Sequence, residues 1–117
     1  MRSFFVALAV SMLAMPALAD GFSKVEDRTG FVQLIEDKKL TRFGIKLTVT
    51  PGGQIKGKAF GVPVTGAWEW NAGYFCRDLY WGKRDLGANC QEVMVQGETL
   101  RFTSDRGNGQ FADLVLK

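Results

Sequence analysis

The sequence predicts a small, mainly β domain: an antiparallel meander of about seven strands that closes as a barrel or curls as a sandwich, with one short N-terminal helix. Three observations lead to this prediction. Apolar and polar residues alternate along most of the chain after Arg42. Gly-rich turns separate these runs at a spacing of about 8–12 residues. Setting aside 19 of the 117 residues as an export signal leaves 98 residues, a length typical of a single domain.

Residues 1–19 have the pattern of a cleavable secretory signal peptide. Arg2 supplies the positive charge, residues 4–15 are almost uniformly apolar, and small residues at 17 and 19 match the positions that a signal peptidase recognises. The apolar run is shorter than the roughly 20 residues that a membrane-spanning helix needs. We therefore expect cleavage before Asp20, a periplasmic or secreted product, and a single domain over residues 20–117.

The short helix is expected over residues 29–38. Phe31 and Ile35 are one helical turn apart, and either Asp27 or Thr29 can act as the N-cap.

The strands follow in order, each bounded by turn residues such as Pro51-Gly52-Gly53. The predicted strands occupy residues 45–50, 54–60, 62–70, 74–81, 89–96, 99–104 and 111–116. An open meander would leave unpaired backbone groups at both edges, which favours closure.

Cys76 and Cys90 are the two cysteines of the chain. An even number of cysteines in an exported protein favours a disulfide, here closing a 15-residue loop for which the chain-entropy model gives about 3 kcal/mol. Their spacing is not that of a redox dithiol, and no histidine is present to complete a mixed zinc site. We therefore expect a structural disulfide and no metal or other cofactor.

Composition excludes several classes of function. Without histidine, neither a Ser-His-Asp nor a Cys-His catalytic arrangement can be built. Removing Arg2 leaves 14 basic and 12 acidic residues, interspersed along the chain, so no stripe for nucleic acid is present. The G-x-G-x-x-A run at residues 107–112 resembles a dinucleotide fingerprint, but only five residues follow it, too few for the helix that such a site requires.

An aromatic and basic cluster is the strongest positive feature. Trp68, Trp70 and Cys76 all have even residue numbers, so alternation along the strands would place them on the same face. This predicts that they pack together in the core. The two cysteines flank a predicted loop over residues 82–89. Aromatic and basic side chains near this loop suit a contact surface, because binding residues concentrate on loops held by rigid scaffolds. The candidate ligand- or partner-binding residues are Tyr74, Arg77, Tyr80, Trp81, Lys83 and Arg84. Whether the cluster is core or surface stays open at this point.

The runs at residues 66–70, 73–77, 89–91 and 100–102 resemble small exported alphaproteobacterial proteins of unassigned role. The resemblance covers nearly the whole mature chain. Some of those proteins carry a dihydrodipicolinate reductase label, which this sequence does not support, because the nicotinamide-binding domain of that enzyme family is larger than this chain. No catalytic residue is carried over.

The sequence favours a non-enzymatic periplasmic binding module that contacts a small ligand or an envelope partner through residues 74–84. Two other classes remain. One is a small enzyme that uses carboxylates such as Asp78 and Asp85, and the other is a structural or inhibitory envelope protein. We expect no nucleic-acid partner and no stable membrane insertion after cleavage.

Overall fold

The computed structural model describes residues 21–117, so the predicted signal peptide and its cleavage site lie outside the described residues. The described part is mainly β. Its strands are β1 (Ser23–Lys24), β2 (Leu40–Arg42), β3 (Ile45–Val49), β4 (Gln54–Ala59), β5 (Val62–Asn71), β6 (Tyr74–Trp81), β7 (Arg84–Asp85), β8 (Asn89–Gln96), β9 (Thr99–Thr103) and β10 (Phe111–Leu116). Two helical segments accompany them, α1 (Arg28–Ile35) and the short turn α2 (Ser104–Gly107).

Eight of these strands form a closed antiparallel barrel. From β2 to β6, and again from β8 to β10, each strand pairs with the next along the chain, while β6 also pairs with β8. The last strand returns to the first, with Val115 opposite Thr41. The meander therefore closes as a barrel and not as a sandwich, and closure removes the unpaired edges of an open sheet.

The seven predicted strands are present, and β1, β2 and β7 are additional. Two of the additional strands extend the barrel wall: β1 lies against β8, and β7 lies against β6. The predicted loop over residues 82–89 is therefore largely a hairpin. Between the β6–β7 and β6–β8 pairings, the three residues 86–88 lie opposite the two residues 78–79 of β6. The segment between β7 and β8 therefore contains a bulge of one extra residue.

The barrel has two ends that differ in what covers them. The turns at residues 43–44, 60–61 and 82–83 lie at one end together with the β9–β10 connection, and we call this the mouth end. The turns at residues 50–53 and 72–73 lie at the other, and α1 covers it: the Arg28 guanidinium donates to the Pro51 carbonyl at 2.6 Å. We call this the helix end.

The helix α1 closes the helix end with apolar side chains. Asp27 caps it by accepting a hydrogen bond from the Gly30 N–H at 2.8 Å, as expected for one of the two candidate caps. Phe31 and Ile35 are buried, and the Phe31 ring packs against Trp68, Trp70, Phe75 and Phe102. The helix is shorter than the predicted span of 29–38.

The two tryptophans belong to the core, but the disulfide does not pack against them. The turn at residues 72–73 brings Asn71 opposite Tyr74, so odd positions on β6 pair with even positions on β5. Trp70 faces Phe75, whereas Cys76 lies opposite Glu69 on the outer surface. The parity prediction was wrong because the register across the turn reverses it.

Cys76 and Cys90 form a disulfide as predicted, with Cα atoms 3.9 Å apart. The two residues are direct partners in the β6–β8 pairing. The bond therefore joins neighbouring strands on the outside of the barrel, just below the β7–β8 bulge.

Glycines permit close strand approach at two inward-facing positions, Gly57 and Gly66. A side chain at Gly57 would collide with the backbone at Lys46, and one at Gly66 with the Asp78 carbonyl. The glycines of residues 107–112 lie between the antiparallel strands β9 and β10, as expected for a strand connection.

Candidate functional site

The mouth end of the barrel opens onto an apolar cavity of about 340 Å³, which we call the mouth. Every residue that lines it is apolar. They are Ile45, Leu47, Ala59, Phe60, Val64, Leu79, Trp81 and Leu86. Known ligand pockets of small molecules are mostly apolar clefts of roughly 300–1,000 Å³, and the mouth falls in that range.

Strand alternation builds the mouth from β3, β4, β5 and β6. Inward-facing positions on each strand supply Leu47, Ala59, Val64 and Leu79, so the cavity wall is part of the rigid barrel. The indole N–H of Trp81 donates to the Ala59 carbonyl at 2.9 Å. Because the polar atom of the indole is satisfied, the ring presents carbon to the cavity.

A second, inner cavity of about 170 Å³ continues into the barrel. It shares Leu47 and Leu79 with the mouth and ends on core residues such as Phe75 and Phe102. Arg77 and Gln91 are the two polar residues of its lining. Together the two cavities offer an apolar entrance above a chamber with a few hydrogen-bonding groups.

Arg77 carries the charge closest to this inner cavity. Its guanidinium donates to the Gly87 carbonyl in the bulge at 2.8 Å. Burial lowers the pKa of Arg77, and the nearby Asp78 carboxylate partly offsets this effect. Gln91 donates to the Ser104 hydroxyl at 3.3 Å, which fixes the side-chain amide at the chamber wall.

A broader groove of about 530 Å³ lies on the outer surface, over the disulfide. Two of its three carboxylates accept hydrogen bonds within the protein: Asp78 accepts from the Ala67 N–H at 2.8 Å, and Asp105 accepts from the Asn89 amide at 2.9 Å. Arg106 adds a positive charge to the same surface. Ligand pockets are mostly apolar with a few polar groups, so this open groove with charges of both signs is a weaker ligand site than the apolar mouth.

The structure divides the six predicted binding residues among different surfaces. Trp81 lines the mouth, Lys83 lies in the adjacent turn, and Arg84 is the direct strand partner of Trp81. Tyr80 is exposed on the outer face of the same strand. These four share the mouth end.

The other two predicted binding residues lie elsewhere. Arg77 lines the inner cavity, as described. Tyr74 lies at the helix end, and the Lys24 ammonium and the Arg106 guanidinium sit 5.5 and 5.6 Å from its ring centre. Residues 74–84 therefore do not form one continuous contact surface, because an eight-residue strand carries its ends to opposite ends of the barrel.

The two carboxylates that the enzyme alternative would use accept hydrogen bonds from backbone N–H groups. Asp78 accepts from the Ala67 N–H, and Asp85 accepts from the Gly87 N–H at 2.8 Å. Neither of them lines the mouth or the inner cavity.

Of the eight residues that line the mouth, only Trp81 was among the predicted binding residues. The prediction missed the exposed apolar residues Phe60 and Leu86 of that lining, and Phe43 in the neighbouring turn. The side chains of Phe43 and Phe60 are 91% and 62% exposed, and that of Leu86 is 47% exposed. Large apolar residues directly before a turn glycine, as in Phe43-Gly44 and Phe60-Gly61, were the signal that could have found two of them.

Within residues 21–117, no group of three or more potential metal ligands comes together, and no helix is long and apolar enough to cross a membrane. No family model, curated protein or solved structure matches the chain, so the candidate site rests on its own geometry.

Proposed function

We propose that this protein is an exported, non-enzymatic binding module that holds a small apolar molecule in the mouth of its barrel. The observation that carries the proposal is the uniformly apolar lining of a cavity that opens at the barrel end. Eight-stranded barrels have interiors wide enough for side chains or for one small ligand, and here the helix end is filled while the mouth end is not.

The energetics favour an apolar ligand over a polar one. Displacing water from carbon-lined walls contributes roughly 25 cal/mol per Å² of apolar surface removed from water. A polar ligand would lose hydrogen bonds to water and find no partner in the mouth, which costs about 1–3 kcal/mol per group. A ligand with one polar end can reach the donors of Arg77 and Gln91 in the inner cavity.

Binding fits the cavity better than catalysis does. Neither Asp78 nor Asp85 faces the mouth, and the mouth itself contains no titratable side chain. An enzyme needs a positioned acid, base or nucleophile at the bound substrate.

Export is part of the proposal, supported by the Cys76–Cys90 disulfide, since disulfides persist in oxidising compartments. Mass spectrometry of the protein purified from the periplasm or medium tests it. A mature chain that starts at Asp20 is the expected result, and retention of residues 1–19 would contradict export by cleavage.

The binding experiment uses the neutral fluorophore N-phenylnaphthylamine, which brightens in an apolar site, with Ala59→Leu as the test variant. The larger side chain extends into the mouth and takes up volume there, so we expect at least a tenfold weaker affinity with the fold retained. Phe111→Ser is the matched control, because Phe111 is 57% exposed on an outer strand face and does not line the mouth. Equal affinity of wild type and Ala59→Leu would overturn the assignment of the site.

A further inference from the structure

We propose that the mouth end of the barrel docks on an anionic lipid bilayer, with Phe43, Phe60 and Leu86 placed among the lipid headgroups and upper acyl chains. This is adsorption at the bilayer surface by the rim of the mouth, and it is a property separate from ligand binding inside the barrel.

Exposed apolar side chains gather at this end. Phe43 projects from the β2–β3 turn with 91% of its surface in water, Phe60 from the β4–β5 turn with 62%, and Leu86 follows β7 with 47%. Phe60 and Leu86 also line the apolar mouth, and Phe43 lies in the neighbouring β2–β3 turn. Contiguous exposed apolar surface of this kind marks an interaction site, whereas single exposed residues do not.

Phe60 has a backbone conformation that a bulky residue rarely adopts. Its φ is 52° and that of Gly61 is 79°, so both central residues of this two-residue turn have positive φ. Asn, Asp or Gly are favoured at the first of these positions, and a bulky residue is an outlier there. The corresponding turn at the helix end has the small residue Ala72, with φ 53°. Neither the turn nor the core requires a phenylalanine at position 60.

Positive charge is concentrated around the same rim. Five basic side chains lie in, or within two residues of, the turns at residues 43–44, 60–61 and 82–83, against one acidic side chain, Asp85. The five basic residues are Arg42, Lys46, Lys58, Lys83 and Arg84. The β9–β10 connection at the same end adds one residue of each sign, Asp105 and Arg106. Over the other described residues, eight basic side chains are balanced by nine acidic ones. The protein is therefore close to neutral except at this rim.

Aromatic side chains ringed by Lys and Arg match the surface of an anionic bilayer. Such lipids attract nearby basic groups by about 1 kcal/mol each, and apolar side chains add binding by entering the interface. A second copy of the chain is a poorer occupant, because two rims facing each other would bring like charges together. Charge and carbon surface together favour the lipid surface.

The experiment is co-sedimentation of the full mature protein with vesicles of phosphatidylcholine alone or mixed with phosphatidylglycerol. We expect binding at least tenfold stronger to the mixed vesicles at low salt, and a clear decrease as salt rises, because screening weakens the charge attraction. Equal binding to both kinds of vesicle, or none to the mixed ones, would overturn the proposal.

Variants separate docking from folding. Phe60→Asn should weaken vesicle binding at least fivefold while raising the midpoint of urea unfolding, because asparagine suits the positive φ of this position. The double variant Lys58→Gln and Lys83→Gln should lose most of the preference for the anionic lipid. Ala72→Asn is the matched control, since it changes the equivalent position of the β5–β6 turn at the helix end and should leave vesicle binding unchanged.

Two further results would distinguish this proposal from the proposed function. Wild-type protein that binds N-phenylnaphthylamine but not the mixed vesicles would overturn docking and leave the ligand site standing. Protein that binds the vesicles but not the fluorophore would overturn the ligand site and leave docking standing. A wild-type dimer in sedimentation analysis that Phe60→Asn converts to a monomer would assign the rim to self-association and overturn the lipid surface.

Discussion

The ring of Phe31 lies 5.0 Å from the ring of Phe75, centre to centre, and this contact ties the helix to the strand that carries Cys76. Phe31 has no exposed surface, and it meets the two core tryptophans as well. One side chain therefore joins the helix that closes the barrel to the sheet that forms it.

Phe31→Ala should lower the free energy of unfolding by about 3–5 kcal/mol, because it removes the ring and leaves a cavity. Urea unfolding followed by tryptophan fluorescence measures the loss. Phe43→Ser is the control, since a side chain this exposed should change stability by less than about 0.5 kcal/mol. Similar losses for the two variants would contradict the assignment of Phe31 to the core.

Replacing both cysteines, Cys76→Ser with Cys90→Ser, should lower the free energy of unfolding by about 3 kcal/mol, the chain-entropy value for a loop of this length. Urea unfolding with and without a reducing agent checks the result. Reduced wild type should unfold like the double variant. If reduction left the wild-type midpoint unchanged, the disulfide would contribute nothing to stability.

Asp113 should make stability depend on pH. The Arg101 guanidinium donates to the Asp113 carboxylate at 2.8 and 3.0 Å, and this hydrogen bonding holds the pKa of Asp113 below its ordinary 3.8. A carboxylate with a lowered pKa in the folded state stabilises the fold above the unfolded pKa, and this contribution is lost as pH falls through the folded value.

We expect Asp113→Asn to be less stable than wild type at neutral pH and the difference to vanish in acid. Because the carboxylate is more than a third exposed, the difference should stay below about 1 kcal/mol. Unfolding midpoints measured across the acid range test the pattern, and a difference that grew toward acid would have the wrong sign.

The Asp27 cap should contribute about 1 kcal/mol, the usual loss when a capping residue is replaced by alanine. Asp27→Ala removes the acceptor for the Gly30 N–H, whereas Asp27→Asn keeps an oxygen at the same place. Urea unfolding of the two variants should therefore separate them. Equal losses would mean that the charge, and not the hydrogen bond, stabilises α1.

The longer strands and the helix could be predicted from local patterns, but the closure of the barrel could not. Alternation such as Ile45, Leu47 and Val49 facing inward is visible in the sequence, and so is the helical spacing of Phe31 and Ile35. The strand Leu40–Arg42 is too short to show an alternation, yet it is the strand that joins β3 to β10.

The candidate site was also predicted only in part, because local sequence patterns do not show which turns meet once the barrel has closed. Local sequence pointed to Trp81, Lys83 and Arg84, which do lie together at the mouth end. It could not place Phe43 or Phe60 beside them, because turns from different hairpins meet only after the sheet has closed. Nor could it separate Tyr74 from this group without the length and direction of β6.

The pairing of β2 with β10 also has a consequence for the order of folding. The Thr41 hydroxyl donates to the Val115 carbonyl across 74 residues of chain, whereas the two cysteines are 14 residues apart. Bringing distant segments together costs more chain entropy, so we expect the β6–β8 hairpin to form early and the β2–β10 pair last. Until that step the molecule is an open sheet with two bare edges, the form most prone to aggregation. Pulse-labelling hydrogen exchange during refolding should find the amides of β2 and β10 protected after those of β6 and β8.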